Sequence, residues 1–109
     1  MANTFKLKTK ANVGVTTVGI YTAPASTTTL VIGITLANTS GAGVNVGVGV
    51  TRAGTTEDVK LLKNAPIPSG SSLEFMAGNK VVLEETDTVV VDSDTNNSVD
   101  ASLTIMEIT

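Results

Sequence analysis

The chain has 109 residues, a formal net charge of −3, and neither Cys nor His. That length supports one hydrophobic core without disulfides or metal and is too short for a second. Without Cys and His there can be no thiolate metal site or disulfide, and the commonest general base and metal ligand is missing.

Residues 1–10, MANTFKLKTK, place charges where a secretory leader needs an apolar stretch, so no leader is expected. A strand is predicted over 5–10, with Lys6, Lys8 and Lys10 alternating with Phe5, Leu7 and Thr9. Two readings of it stay open. One is an edge strand whose exposed face carries lysines that discourage edge-to-edge pairing. The other is an N-terminal arm within 1–15 that reaches a neighbouring subunit or an acidic shell. These lysines are the only basic cluster, and the chain has three aromatic residues, Phe5, Tyr21 and Phe75. Both facts speak against nucleic-acid binding, which needs clustered cations and stacking rings.

A second strand is predicted over 16–22 and a third over 28–38. In the third, Leu30, Ile32, Ile34 and Leu36 recur at period two, which predicts one buried face, with Val31, Gly33 and Thr35 opposite. Its apolar run, 30–37, is far shorter than the roughly 20 residues of a bilayer-spanning helix, so a soluble protein is expected.

Residues 41–50, GAGVNVGVGV, hold four glycines and suggest a phosphate-binding loop. The pattern fails: Val46 stands where the third Gly of G-x-G-x-x-G belongs, and no Gly-Lys-Ser or Gly-Lys-Thr follows. Val44, Val46, Val48 and Val50 instead alternate with Asn45, Gly47, Gly49 and Thr51, which predicts a strand over 44–52 after a turn at 40–43. Gly47 and Gly49 then leave a thin face where another backbone or a subunit can approach closely.

Further strands are predicted over 58–63, 72–76, 80–83, 88–92 and 98–108. Turn signals separate them at Ala53-Gly54, Pro66-Ile-Pro68-Ser-Gly70, Gly78-Asn79, 84–87 and 94–97. Eight or nine short strands joined by polar turns predict an all-β chain, a single antiparallel β-sandwich of jelly-roll type over 1–109. Ile67, Leu73, Phe75, Val81, Leu83, Val89, Val91, Leu103 and Ile105 are expected to line its core with the two strands above.

Two acidic clusters invite chemistry. Glu84, Glu85 and Asp87 are neighbours in one turn, whereas carboxylate pairs that do acid and base work come from separate elements facing a cleft. A charged turn, with Asp87 bonded to its own backbone, accounts for them. Asp92, Asp94 and Asn96 offer oxygens at the opening spacing of an EF-hand loop and with Asp100 make a weak calcium candidate. Asn97 occupies the position that needs Gly, and Leu103 stands in place of the bidentate Glu. A solvated turn is the reading preferred, and no cofactor, metal or small-molecule substrate is expected.

Several segments together resemble small virion structural proteins of tailed bacteriophages, particularly those of marine and cyanobacterial hosts. They are IYTAPASTTTLVIGITLANTSGAGVNVGVGV (20–50), VKLLKNAPIPSGSSLEF (59–75), KVVLEETDTVVVDSD (80–94) and SVDASLTIMEIT (98–109). The resemblance implies a non-enzymatic β-sandwich subunit of a phage particle, made in the host cytoplasm. Such a subunit would be a capsid decoration or cement protein, or else a neck, tail or fibre component. Expected partners are copies of the chain itself, as a trimer or other closed homo-oligomer, and the major capsid protein or other virion proteins; no membrane partner is expected. Lys6, Lys8, Lys10, Gly47 and Gly49 are the interface candidates. The rival reading is a cell-surface module that binds a glycan or a protein.

Overall fold

The computed structural model describes residues 3–52, 58–75 and 80–109. The predicted turn signals at Ala53-Gly54 and Gly78-Asn79, and Met76 at the end of a predicted strand, lie outside the described residues. Among the described residues there are nine strands: β1 (Asn3–Val13), β2 (Val18–Thr22), β3 (Thr28–Asn38), β4 (Val44–Thr51), β5 (Asp58–Ile67), β6 (Ser72–Phe75), β7 (Val81–Leu83), β8 (Thr88–Ser93) and β9 (Val99–Ile108).

Their pairing is that of one long hairpin rolled on itself. β1 pairs with β9, β2 with β8, β3 with β6 and β7, and β4 with β5, all antiparallel. Rolling adds a second set of neighbours, β3 with β9 and β4 with β8. The result is two sheets, one ordered β1-β9-β3-β6 with β7 also on β3, the other β2-β8-β4-β5. This is the jelly roll expected from the sequence.

The core lies between the sheets because each long strand turns alternate residues inward. β9 buries Val99, Ala101, Leu103 and Ile105; β8 buries Val89 and Val91; β4 buries Val44, Val46, Val48 and Val50. Ile67 and Leu83 are buried as expected, and Leu73 and Val81 pack partly buried against the cluster. Val13, Tyr21, Ala23 and Val31 complete it.

Three expectations are corrected. The face of β3 is split: Val31 is buried rather than opposite the core, Leu30 and Ile32 are only partly buried, and Ile34 and Leu36 are buried. A register shift against β9 between Val31 and Gly33 inserts one extra residue, and an extra residue exchanges the two faces of a strand. β5 runs past its predicted end through Pro66 to Ile67. Pro is tolerated there because β5 is the edge of its sheet and its outer side has no ladder partner. Two register shifts, with Asn64 at φ 55°, kink this edge. β1 likewise extends to Val13, since Asn12 at φ 58° forms a bulge that turns Val13 inward while its N–H bonds to Asp100 Oδ1 at 3.0 Å.

Candidate interaction surface

Strand β1 is the edge of its sheet, as one sequence reading has it, but its polarity is the reverse of the expected one. The register sets Lys6 opposite Ile105, Lys8 opposite Leu103 and Lys10 opposite Ala101, all three of which point into the core. Residues paired directly across a ladder share a face, so the lysines take the inner side of the edge and Phe5 and Leu7 the outer side. Phe5 is 69% exposed and Leu7 65%. Inward-pointing charge is itself a device that keeps an edge from pairing with another sheet.

Lys6 finds a partner on that inner side. Its Nζ lies 2.8 Å from Glu107 Oε1. Glu107 follows Ile105 at the next inward position of β9, so the alternation that builds the core also carries a carboxylate to its rim. The Tyr21 hydroxyl donates to Glu107 Oε2 at 2.6 Å and lies 2.8 Å from Thr29 Oγ1. A phenol has one proton, so Thr29 donates to Tyr21. The bonds from Lys6 and Tyr21 hold the Glu107 carboxyl below its ordinary pKa against the opposing effect of burial. Burial, then the adjacent carboxylate, pushes the Tyr21 phenol up to about 12. The network joins β1, β2, β3 and β9 at one end of the sandwich. Tyr21 and Glu107 were not singled out from sequence, although a lone tyrosine and a carboxylate in phase with Leu103 and Ile105 are legible signals.

The outer face of the same sheet carries an apolar feature. The registers align Phe5 with Met106, Met106 with Leu30, and Leu30 with Val82, one continuous rung across β1, β9, β3 and β7. Val82 is 56% exposed, while Leu30 and Met106 are partly covered by their neighbours. Leu7 and Thr104 lie on the next rung with Ile32 beside them, and Asn3, Ile108 and Thr28 on the one before. None of these residues is charged. Farther along the face the side chains shrink to Thr9, Ala11, Thr35, Ala37 and Ser102, which line a shallow hollow of about 300 Å³ together with the charged Lys10 and Asp100.

The other sequence candidates are placed elsewhere. Gly47 and Gly49 are buried by the chain itself. A Cβ on Gly47 would stand 2.6 Å from Asp92 Oδ1, and one on Gly49 2.8 Å from the Val59 carbonyl. The backbone that approaches this thin face is therefore the bulged strand β5, which corrects the expectation that the face is open to a subunit. In the turn at 84–87, Asp87 is buried and accepts the Glu84 N–H at 3.0 Å and Arg52 Nε at 3.1 Å. Glu85 accepts the Ser26 N–H at 2.7 Å. These bonds tie the turn to the end of β4 and to the β2–β3 connection.

The calcium candidates face different donors. Asp92 accepts from Thr17 Oγ1, Asp94 from the Asn45 N–H, and Asp100 from the Asn12 N–H. Beside them, Asn96 Oδ1 lies near Gly14. Among the described residues no group of three or more His, Cys, Asp or Glu is placed to hold a metal ion.

No protein family and no curated protein matches this chain. Solved structures do. One is from Bacillus endospore appendages, described as a novel family of disulfide-linked pili: TM-score 0.58, 16% identity, covering 99% of this chain and 87% of that one. Another is from the T13 viral particle of IBDV: TM-score 0.59, 12% identity, covering 96% of this chain and 30% of that one. The chain thus spans under a third of the length of the viral one. At these identities the likeness is one of fold.

Proposed function

We propose that this protein is a non-enzymatic structural subunit that works by assembling, most concretely a virion protein of a tailed phage that decorates or cements the capsid. The observation that carries the reading is the outer face of the β1 sheet. A strand that turns Phe5 and Leu7 to solvent and lysines towards the core places apolar surface where only another molecule can cover it. The jelly-roll fold shared with an appendage pilus and a viral particle supports the same reading. A decoration subunit stabilises its particle by mass action, since a ligand that binds only the assembled shell favours the shell.

The chain has no Cys, so its contacts would be non-covalent, unlike the linkage named for the appendage pili. The test is co-sedimentation of the purified protein with capsid shells of the phage that encodes it. Saturation at a fixed number of copies per shell is expected. Absence of saturable binding to shells, necks or tails sinks the proposal.

A further inference from the structure

We infer that residues 3–10 of β1 form a hinged arm, rooted at Asn12–Gly14, that leaves β9 as one piece in acid while the rest of the sandwich stays folded. This device is independent of the assembly reading above. β1 divides into two parts of unlike attachment. Residues 3–10 pair with β9 in an unbroken run, from Asn3 opposite Ile108 to Lys10 opposite Ala101, and the ladder then breaks before resuming at Val13 opposite Val99. The strand is the edge of its sheet, so its other side has no ladder partner. Within 3–10, Lys8 alone is partly covered and the rest are exposed.

The root is held quite differently. Val13 is buried, its carbonyl accepts the Ser98 N–H at 3.1 Å, and the Gly14 carbonyl accepts the Ser93 N–H at 2.9 Å. The Asn12 N–H donates to Asp100 Oδ1 at 3.0 Å. A Cβ on Gly14 would stand 3.1 Å from Asn96 Oδ1, so the turn at 94–97 lies directly against the chain there. Between root and arm, Asn12 takes φ 58°, the left-handed conformation that Asn adopts more readily than most residues. A break in the ladder beside a fixed anchor is where a hinge can absorb the backbone rotation of opening.

An exposed strand gains little from its backbone bonds, because ordering each residue costs about as much as such a bond returns. Side chains therefore decide whether the arm stays down. Lys6, Lys8 and Lys10 stand about 7 Å apart on one face and repel one another. Among the described residues, Glu107 is the carboxylate that pairs with this row, 2.8 Å from Lys6 Nζ. The groups that face Glu107 are Lys6 and Lys8 from β1, the Tyr21 hydroxyl from β2 and, through Tyr21, the neutral Thr29 of β3. Opening takes away both lysines and leaves Tyr21. Lys6 is the chief cause that holds the Glu107 carboxyl below its ordinary range, so the open form binds a proton more readily than the closed one. The closed form is thus favoured above the ordinary carboxylate value, and opening grows as pH falls through the folded one. Tyr21 keeps its proton throughout this window, since burial raises its pKa. The freed arm carries Phe5 and Leu7, the most exposed large apolar residues described, off the outer face.

Hydrogen exchange read by mass spectrometry on the intact protein, with rates corrected for the intrinsic effect of pH, tests the arm against β3 and β8 as internal references. At pH 7 the bonded amides of 3–10 are expected to exchange at least about tenfold faster than those of β3 and β8. Between pH 7 and 3 that ratio should widen about fivefold, the factor a half-exposed ion pair carries. Glu107→Gln should show the wider ratio already at pH 7 and no further change in acid. The protein has no Cys, and Thr9 and Ser102 are directly opposed across the ladder, so Thr9→Cys/Ser102→Cys gives a specific bridge. Oxidised, this variant should lose the acid effect; reduced, it should regain it. Protection of 3–10 equal to that of β3 at pH 7, or falling in step with β3 and β8 in acid, overturns the inference. An acid effect of full size in Glu107→Gln, or in the oxidised bridge, overturns it as well.

Discussion

Replacing Glu107 with Gln tests the network that fastens the edge strand. The substitution preserves shape and removes the charge that accepts from Tyr21 and Lys6. A hydrogen bond to a buried charged group contributes about 1.5–3 kcal/mol, against about 1 kcal/mol for the neutral bond that Gln can retain. Lys6 is half exposed, so its ion pair adds at most about 1 kcal/mol. The expected loss at pH 7 is therefore about 2 kcal/mol, measured by urea unfolding.

The pH dependence sharpens the test. The folded-state pKa of Glu107 is depressed, so its stabilisation is present above the unfolded value of 4.5 and is lost as pH falls through the folded one. The gap between wild type and Glu107→Gln should hold from pH 7 to about 5 and close below 4.5 as the wild-type carboxyl becomes protonated. A loss under about 0.5 kcal/mol at pH 7, or a gap that persists unchanged at pH 3, would refute the network as a source of stability.

Tyr21 is the only tyrosine and there is no Trp, so tyrosinate absorbance reports it alone. It should titrate at about 12, with up to about 2–3 kcal/mol of stability lost as pH rises from 10 to 12, since the folded pKa is the raised one; titration near 10 in the folded protein refutes this. Gly49→Ala drives a methyl into the Val59 carbonyl and should cost about 2–3 kcal/mol in chemical denaturation. Gly47→Ala clashes with the end of the Asp92 side chain and meets the Leu62 carbonyl at an ordinary contact distance of 3.4 Å, so it should cost less than half as much, and equal losses would contradict the packing described. Asn38 is buried, donates to the Ala42 and Ile67 carbonyls and accepts from the Ser40 N–H and hydroxyl. Asn38→Ala should cost about 3 kcal/mol, read as a fall of roughly 10 °C or more in melting temperature.

The strands were legible because alternation is a local property: 44–50 reads as a strand from its own residues, and the structure puts all four of its valines in the core. Faces were less legible, because they depend on bulges. The extra residue between Val31 and Gly33 leaves no mark in LVIGITL, yet it decides that Val31 is buried and Leu30 is not. The Pro66 boundary failed for a related reason, since whether a strand tolerates Pro depends on whether it ends up at an edge. The lysines of β1 were rightly seen as alternating, but their direction follows from pairing Lys6 with Ile105 rather than with a neighbour one residue away. The candidate face was hidden for the same reason, because Phe5, Met106, Leu30 and Val82 are far apart in sequence and meet only through three registers.

That register poses its own physical question, because shifting β1 by one residue would turn Phe5 and Leu7 towards the core and the lysines to water. An isolated domain gains apolar burial from such a slip. Three features oppose it: Lys6 would leave Glu107 without its cation, the bulge at Asn12 would no longer turn Val13 inward, and the Asn12 bond to Asp100 would break. Val13 is the only residue of β1 that is fully buried, so the strand is positioned by its C-terminal end and by one ion pair rather than by its own apolar side chains. The same side chains that stabilise the edge therefore keep Phe5 and Leu7 outward, and the energy forgone in leaving them there is recovered only when another surface covers them. On the proposed assembly reading, loosening Glu107 should therefore weaken the fold and the contact together.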